Sequence, residues 1–316
     1  MESSSADTPL VGIMMVTYNH EKYIEQAIES VMMQATSFAY RLFVAEDRSP
    51  DNTRAICKRL YEKYPDKIDL HCNEKNKGSS QNVTDVLTRI LHSGVKYVCI
   101  LDGDDYWTDK NKLQKQVDIL ERDSAASFCF TAVKKLDENT GEFTPVSFGD
   151  IVNNRLGLDQ FLTKGAFVPT LTMCFKVDRF PRVIPDFFSK SIKQDWLIEL
   201  FVLQNGDGVL LDEVTGVYRM HGGGVLHSKR VNLLANNVYL LSSAHEYLRP
   251  AYDDFLQNVI TWAISDLAFA HLENGDFLIF LKKLNEARKM GERKKLKWYW
   301  LHFKKFGRIT LNKLKG

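Results

Sequence analysis

The 316-residue chain is 44% apolar and 26% charged, the composition of a folded globular protein with room for one large domain or two ordinary ones. Five scattered cysteines (Cys57, Cys72, Cys99, Cys129, Cys174), odd in number and without a C-x-x-C pair, argue against a disulfide framework or a zinc knuckle and favour a reducing compartment. The net charge of +2 hides an asymmetry: Lys282 to Gly316 holds thirteen Lys/Arg against Glu286 and Glu292, a local net of +11, on a mildly acidic body.

The N-terminal "MESSSADTPL" has neither a basic n-region nor a long apolar stretch, so no signal peptide is expected, and no run of eighteen apolar residues suggests a membrane span. "VGIMMVTYN" reads as a buried strand, followed by a helix in which Tyr23, Ile24, Ala27, Ile28 and Val31 recur at helical spacing. "YRLFVAED" is a second strand, and "RSPDNT" a turn with Asp51 or Asn52 as N-cap of the helix "TRAICKRLYEKY". "KIDLHCNEKN" gives a third strand, "SSQNVTDVLTRILHS" a helix and "KYVCILD" a fourth strand. This alternation predicts a mostly parallel sheet covered on both faces, with ligands at the carboxyl ends of its strands. Polar residues gather at those ends: Thr17, Tyr18 and Asn19, then Glu46 and Asp47, then Asp102, Asp104 and Asp105.

Three carboxylates within "DGDD" repel one another unless a positive partner compensates them. A hard divalent ion does so, and Mg2+ or Mn2+ commonly takes one or two carboxylates together with substrate phosphates. A single D-x-D is more often a solvated acidic turn. Its place after an apolar strand, with a second acidic strand end beside it, favours the metal reading. No G-x-G-x-x-G follows the first strand and no P-loop motif occurs, which disfavours dinucleotide and P-loop phosphate binding.

"VTYNHEKYIEQAIESVMMQ", "VAEDRSPDNT", "NKGSSQN", "ILDGDDYW" and "QDWLIELFVLQNGDGVLLDEVTGVYRMHGGG" resemble, in order and spacing, the motifs of family-two glycosyltransferases with the GT-A fold, over roughly residues 10 to 230. The resemblance implies an αβα sandwich over 1–230, with a nucleotide-sugar half at about 10–125 and an acceptor half at about 126–230. A helical region with a basic aromatic tail follows at 231–316. It further implies that Thr17, Tyr18 and Asn19 line the nucleotide pocket, with Tyr18 against the base. Asp47, or Glu46 beside it, would accept from a uracil-type imide, and Asn82 would belong to the same site. Asp102 would lie near the ribose, while Asp104 and Asp105 would hold Mn2+ or Mg2+, His221 would complete the metal shell or contact the diphosphate, and Arg219 would pair with a phosphate. Asp195 in "KQDWL" would be the general base, though a helix N-cap is its plainer role, and Trp196 would border the acceptor. Trp107 would face a sugar or lie in the core; Phe167, Pro169 and Thr172 are further acceptor-side candidates. Two departures from the family pattern are Arg48, where a small residue is usual, and Gln81, where a basic one is. His20, His71 and His92 read as surface or core residues.

Residues 232 to 290 read as three helices. The tail "ERKKLKWYWLHFKKFGRITLNKLKG" interleaves Trp298, Tyr299, Trp300, Phe303 and Phe306 with lysines and Arg308, a pattern suited to a membrane surface. An aromatic stripe packed on the body is the plainer alternative, and nucleic acid is not expected. Together these readings predict an inverting, metal-dependent glycosyltransferase that uses a UDP-linked donor and a saccharide or lipid-linked saccharide acceptor. It would be cytoplasmic and peripheral at the inner face of the membrane. A sugar nucleotidyltransferase and a non-catalytic nucleotide-sugar or glycan-binding protein are the alternatives.

Overall fold

The strands β1 (Val11–Thr17), β2 (Tyr40–Glu46), β3 (Ile68–Cys72) and β4 (Tyr97–Ile100) occupy the four predicted positions. Between them lie α1 (Ile24–Met32), α2 (Thr53–Lys63) and α3 (Ser79–Leu91). The computed structural model describes residues 8–146, 148, 151–164, 168–221, 230–245, 248 and 253–290. These four strands pair in parallel in the order β3-β2-β1-β4. β4 is buried throughout and β1 at all but one residue, which is why both read as continuous apolar runs rather than alternating ones. Ile24, Ala27, Ile28 and Val31 of α1 turn inward onto Val11, Ile13 and Met15. Burying one such isoleucine contributes about 1.5–3 kcal/mol, and Ile28→Ala would cost about 2–5 kcal/mol. Asn52 sits at the N-cap of α2, but Asp51 supplies the acceptor: its Oδ1 takes the Thr53 N–H at 3.0 Å and its Oδ2 the Glu21 N–H at 3.0 Å.

The sheet then becomes mixed. β5 (Tyr106–Trp107), α4 (Lys112–Arg122), β6 (Ala126–Asp137), β7 (Phe143–Pro145), β8 (Arg155–Leu156), α5 (Leu158–Lys164), β9 (Cys174–Lys176), α6 (Gln194–Leu203) and β10 (Asp207–Met220) follow in the chain. The sheet order is β3-β2-β1-β4-β9-β6-β10-β5, with β7 on β6 and β8 on β10. β9 runs antiparallel to both β4 and β6, and β10 runs parallel to β6. Two reversals restore the original direction, so the carboxyl end of β10 emerges at the same edge as that of β4.

The core settles one open choice. Trp107 is buried, donates its Nε1–H to the Leu171 carbonyl at 2.9 Å and carries Lys112 Nζ at 4.6 Å from its ring centre. Its indole is a core group and presents no face to an acceptor. Thr172 is likewise buried, with its hydroxyl on the Pro169 carbonyl at 2.7 Å, and Phe167 lies outside the described residues.

The chain divides into two units, residues 1–222 and 223–316. The described part of the second is three helices: α7 (Arg230–Ala244), α8 (Asp253–Glu273) and α9 (Phe277–Met290). They cohere through Ile260, Ile264 and Ala287, and through Ala268, Phe269 and Phe280. The basic aromatic stretch at 291–316 and Gly222 to Gly224 lie outside the described residues. No helix among the described residues is long and apolar enough to cross a membrane.

Candidate active site

The site lies where β1, β2, β4 and β10 end. β5 runs antiparallel to β10, with Tyr106 opposite Val217 and Trp107 opposite Gly216. That register carries the preceding Asp104 and Asp105 alongside Arg219 and His221. The turn before β5 is pinned to β1 by the Gly103 N–H, which donates to the Val16 carbonyl at 3.0 Å. Gly103 is required there by space: a Cβ at this position would stand 2.7 Å from Thr17 Oγ1 and 3.0 Å from His20 Nδ1.

The three carboxylates meet different surroundings. Asp102 is half-buried, and desolvation, with the charges of Asp104 and Asp195, pushes its carboxyl up to about 7. Asp105 is 2% exposed; burial and Asp104 lift it well above the usual carboxylate range, although its Oδ1 accepts the Arg219 N–H at 2.8 Å. Burial alone would also raise Asp104, but the His221 hydrogen bond and the charges of His20 and His221 outweigh it and hold this group below its ordinary value. His221 Nε2 lies 3.0 Å from Asp104 Oδ2, and His20 Nε2 lies 3.6 Å from the same oxygen. That hydrogen bond raises His221, whereas burial lowers His20. Tyr218, among these acids, is pushed up to about 12 by burial and by Asp105, Asp104, Asp102 and Asp195.

His20 is the residue that sequence reasoning missed. Its Nδ1 is 3.3 Å from Thr17 Oγ1, which turns Nε2 toward Asp104. The available signal was its position, three residues past the end of a rim strand. Arg219 requires correction in the other direction. Only 7% exposed, it directs Nη1 at the Asp104 carbonyl at 2.5 Å, Nη2 at Gln26 and Nε at Glu138 at 2.8 Å. Its guanidinium also stacks on Tyr106 and Tyr23, 4.4 and 5.0 Å from their ring centres. It therefore braces the acidic turn instead of standing open to a phosphate.

At the ends of β1 and β2, where the nucleotide was expected, Tyr18 is 45% exposed. Asn19 and Arg48 both have left-handed backbones, φ 59° and 61°, and the Asn19 N–H donates to Ser49 Oγ at 3.1 Å, joining the two loops. Arg48 thus occupies a backbone geometry that favours glycine, which accounts for the small residue usual there. Thr17 is buried, with its hydroxyl turned to His20. Glu46 is fully buried, paired with Arg54 and accepting the Ser49 N–H at 2.6 Å, so it is withdrawn from any base. Asp47 accepts from Asn73 Nδ2 at 2.8 Å and from the Lys77 and Gly78 N–H groups at 2.9 Å each. Asn82 lies behind it, donating to the Ala45 carbonyl at 3.0 Å and accepting from Asn73 at 2.8 Å. Asp47 and Asn82 thus shape the loop after β3.

On the acceptor side, Asp195 stands in the first turn of α6, with Lys193 at the N-cap. Its Oδ1 accepts the N–H of Trp196 at 2.8 Å, and burial raises its carboxyl above the ordinary range. Trp196 is half-buried, its ring 5.4 Å from that of Phe161. The start of α6 is tied to α3: Gln194 Nε2 lies 2.8 Å from the Ser80 carbonyl and 3.0 Å from both Thr84 Oγ1 and the Phe188 carbonyl. Ser80 Oγ in turn donates to the Ser191 carbonyl at 2.7 Å.

Among the described residues, no three His, Cys, Asp or Glu side chains are arranged as a ready metal centre. Asp105 is turned to the β10 backbone, so the expected Asp104–Asp105 pair does not converge. What stands at the rim is one carboxylate oxygen of Asp104 with the His221 and His20 nitrogens beside it. A carboxylate with imidazole nitrogen is a donor set that fits a divalent cation of the Mn2+ type.

The profile described as glycosyl transferase family 2 matches residues 12–179, more than half of the chain. The chain belongs to that family. An uncharacterised protein of Mycobacterium tuberculosis is 30% identical over 221 residues, 69% of this chain and 61% of its own length, so the chain spans about three fifths of that relative. The Escherichia coli UDP-Glc:alpha-D-GlcNAc-diphosphoundecaprenol beta-1,3-glucosyltransferase WfgD is 31% identical over 134 residues, 42% of this chain and 49% of its own. Among solved structures, S. aureus TarS 1-349 in complex with UDP-GlcNAc superposes with a TM-score of 0.59 at 17% identity, over 89% of this chain and 81% of that one. The mannosyltransferase PcManGT from Pyrobaculum calidifontis, in complex with GDP-Man and Mn2+, gives 0.54 at 16% identity, over 98% and 88%. These likenesses establish the GT-A fold expected from the sequence.

Proposed function

We propose that this family-two protein is an inverting, metal-dependent glycosyltransferase. It moves one sugar from a nucleoside diphosphate donor, expected to be UDP-linked, to a hydroxyl of a glycan or lipid-linked glycan. The observation that carries this reading is the joining of two chemistries at one sheet edge: Asp104 with His221, and Asp195 raised by burial. Asp104 and His221 would hold Mn2+ or Mg2+, which when bound supplies positive charge to the departing diphosphate. Asp195 takes the acceptor's hydroxyl proton as that oxygen bonds to the anomeric carbon and the bond to the diphosphate oxygen breaks. Its raised basicity suits this step better than an ordinary exposed aspartate would. Tyr18 stacks on the base.

The UDP-GlcNAc seen with TarS and the UDP-Glc named for WfgD support the nucleotide, and the Mn2+ with PcManGT supports the ion. The diphosphoundecaprenol in the name of WfgD supports a lipid-linked acceptor, which the basic tail would help to meet at the cytoplasmic face of a membrane. A nucleotidyltransferase would carry a glycine-rich basic loop after β1, where this chain has "TYNHEKY". Thermal melting with UDP-, GDP- and dTDP-sugars, with and without Mn2+, tests the donor; stabilisation by none of them overturns the reading. Asp195→Asn is expected to keep donor stabilisation while transfer falls at least about 100-fold. Wild-type turnover in that variant would remove Asp195 from the mechanism, and donor stabilisation without any transfer by the wild type would favour a non-catalytic binder.

A further inference from the structure

In α9, Phe280, Leu284 and Ala287, spaced by four and three, form the inward stripe: Phe280 meets Phe269 with ring centres 5.5 Å apart and planes tilted by 53°, and Ala287 packs with Ile260 and Ile264. The outward face should then be polar. Its later part is, with Lys282, Asn285 and Lys289 exposed. Its first turn is not: Phe277 is 53% exposed, Leu278 81%, Ile279 43% and Leu281 45%. Four large apolar side chains crowded into five consecutive residues differ from the singly scattered ones normal on a soluble surface. Leu278, Leu281, Lys282, Asn285 and Lys289 follow helical spacing, so one face passes from apolar to basic along the helix.

We infer that the outward face of α9 is a docking surface for an anionic lipid bilayer. Phe277, Leu278 and Leu281 enter the acyl boundary, and Lys282 and Lys289 lie against the headgroups. The choice of occupant rests on charge: the net of +11 from Lys282 to Gly316 begins on this face and continues beyond it. A second copy of the chain would bring the same basic charge to the contact and be repelled, whereas anionic headgroups are attracted. The apolar part of this face is confined to the first turn of a 14-residue helix, too short to enter beyond the headgroup and acyl boundary, so contact through it is interfacial and sensitive to both lipid charge and salt. This deepens the membrane side of the proposed function without resting on the transfer chemistry.

The test is co-sedimentation of the full chain with phosphatidylcholine vesicles, with and without phosphatidylglycerol, for the wild type and for Leu278→Glu/Leu281→Glu. Wild type is expected to bind only the anionic vesicles, and less at high salt. The double variant is expected to bind at least tenfold more weakly with an unchanged melting temperature, since both side chains already face water. Equal binding by wild type and variant would assign attachment to the tail alone and overturn the inference, as would absence of wild-type binding. A lipid-free wild-type dimer that the variant dissolves would reassign the face to self-association and also overturn it. Donor stabilisation measured on the same samples reports the transferase reading separately.

Discussion

Replacing Gly103 with alanine adds one methyl group at the tightest point of the candidate site. That carbon would stand 2.7 Å from Thr17 Oγ1, 2.8 Å from Thr17 Cβ and 3.0 Å from His20 Nδ1, well inside ordinary contact distance. The main chain has little freedom to retreat, because the Gly103 N–H is bonded to Val16 at 3.0 Å and the Asp105 N–H to Asp102 at 3.1 Å. Thr17 is buried and cannot swing into solvent. Overpacking of this kind typically costs about 1–3 kcal/mol. For a unit of this size, 1 kcal/mol shifts the melting temperature by about 2–4 °C, so Gly103→Ala should melt roughly 2–12 °C below the wild type. Relief of the clash moves Thr17 and with it His20, so the stabilisation given by Mn2+ with a nucleotide sugar should also shrink. Differential scanning fluorimetry, with and without those additions, reads both effects. A variant that melts with the wild type and responds equally to ligand would refute the argument that close approach fixes glycine here.

The carboxylates give a pH prediction. Asp102 holds its proton up to about 7 in the folded chain, so its contribution to stability is present at low pH and is lost as pH rises from the unfolded carboxyl range near 4 through 7. Asp102→Asn should therefore raise the melting temperature of the metal-free protein at pH 8 more than at pH 5, and the opposite order would contradict the assignment. Arg219→Lys keeps the charge but cannot reach Gln26, Glu138 and the Asp104 carbonyl together; a loss of about 1–3 kcal/mol is expected in urea unfolding, and a neutral result would show that charge alone suffices. Arg48→Gly releases the left-handed strain at φ 61° and should gain about 0.5–1 kcal/mol by the same measurement, net of the entropy glycine adds to the unfolded chain. Destabilisation there would mean that the Arg48 side chain holds the loop.

The first four strands and three helices were legible because most repeat one physical pattern long enough to register: β1, β2 and β4 are largely buried runs of four to seven residues, and the helices carry a single inward stripe, while β3, with only Ile68 buried, is marked by its place between two helices. The later strands were not. β5 and β8 are two residues long and β9 is three, too short for any period. β10 is long, but its register slips around Val214, and the polar "DEVTG" there reads as loop. In the site, the motif positions do gather at one edge of the sheet, yet they did not reveal which side chains turn toward it. Glu46, Asn82 and Arg219 match motifs and face inward to protein partners: Arg54 and Asn73, eight and nine residues away, hold the first two, and Glu138, far off in the chain, holds the third. His20 escaped notice for the converse reason, since only the fold brings it to Asp104.

Gln194 has a consequence for how such a catalyst would operate. Its amide anchors the beginning of α6 to α3, and the next residue in the chain is the candidate base. A proton acceptor fastened in this manner to the donor-holding half is not free to travel toward an incoming alcohol. Recognition of the second substrate would then be a matter of delivery: whatever guides the alcohol must bring its oxygen to a stationary carboxylate, and length or branching that prevents this arrival would reject a molecule however well its remaining parts were bound.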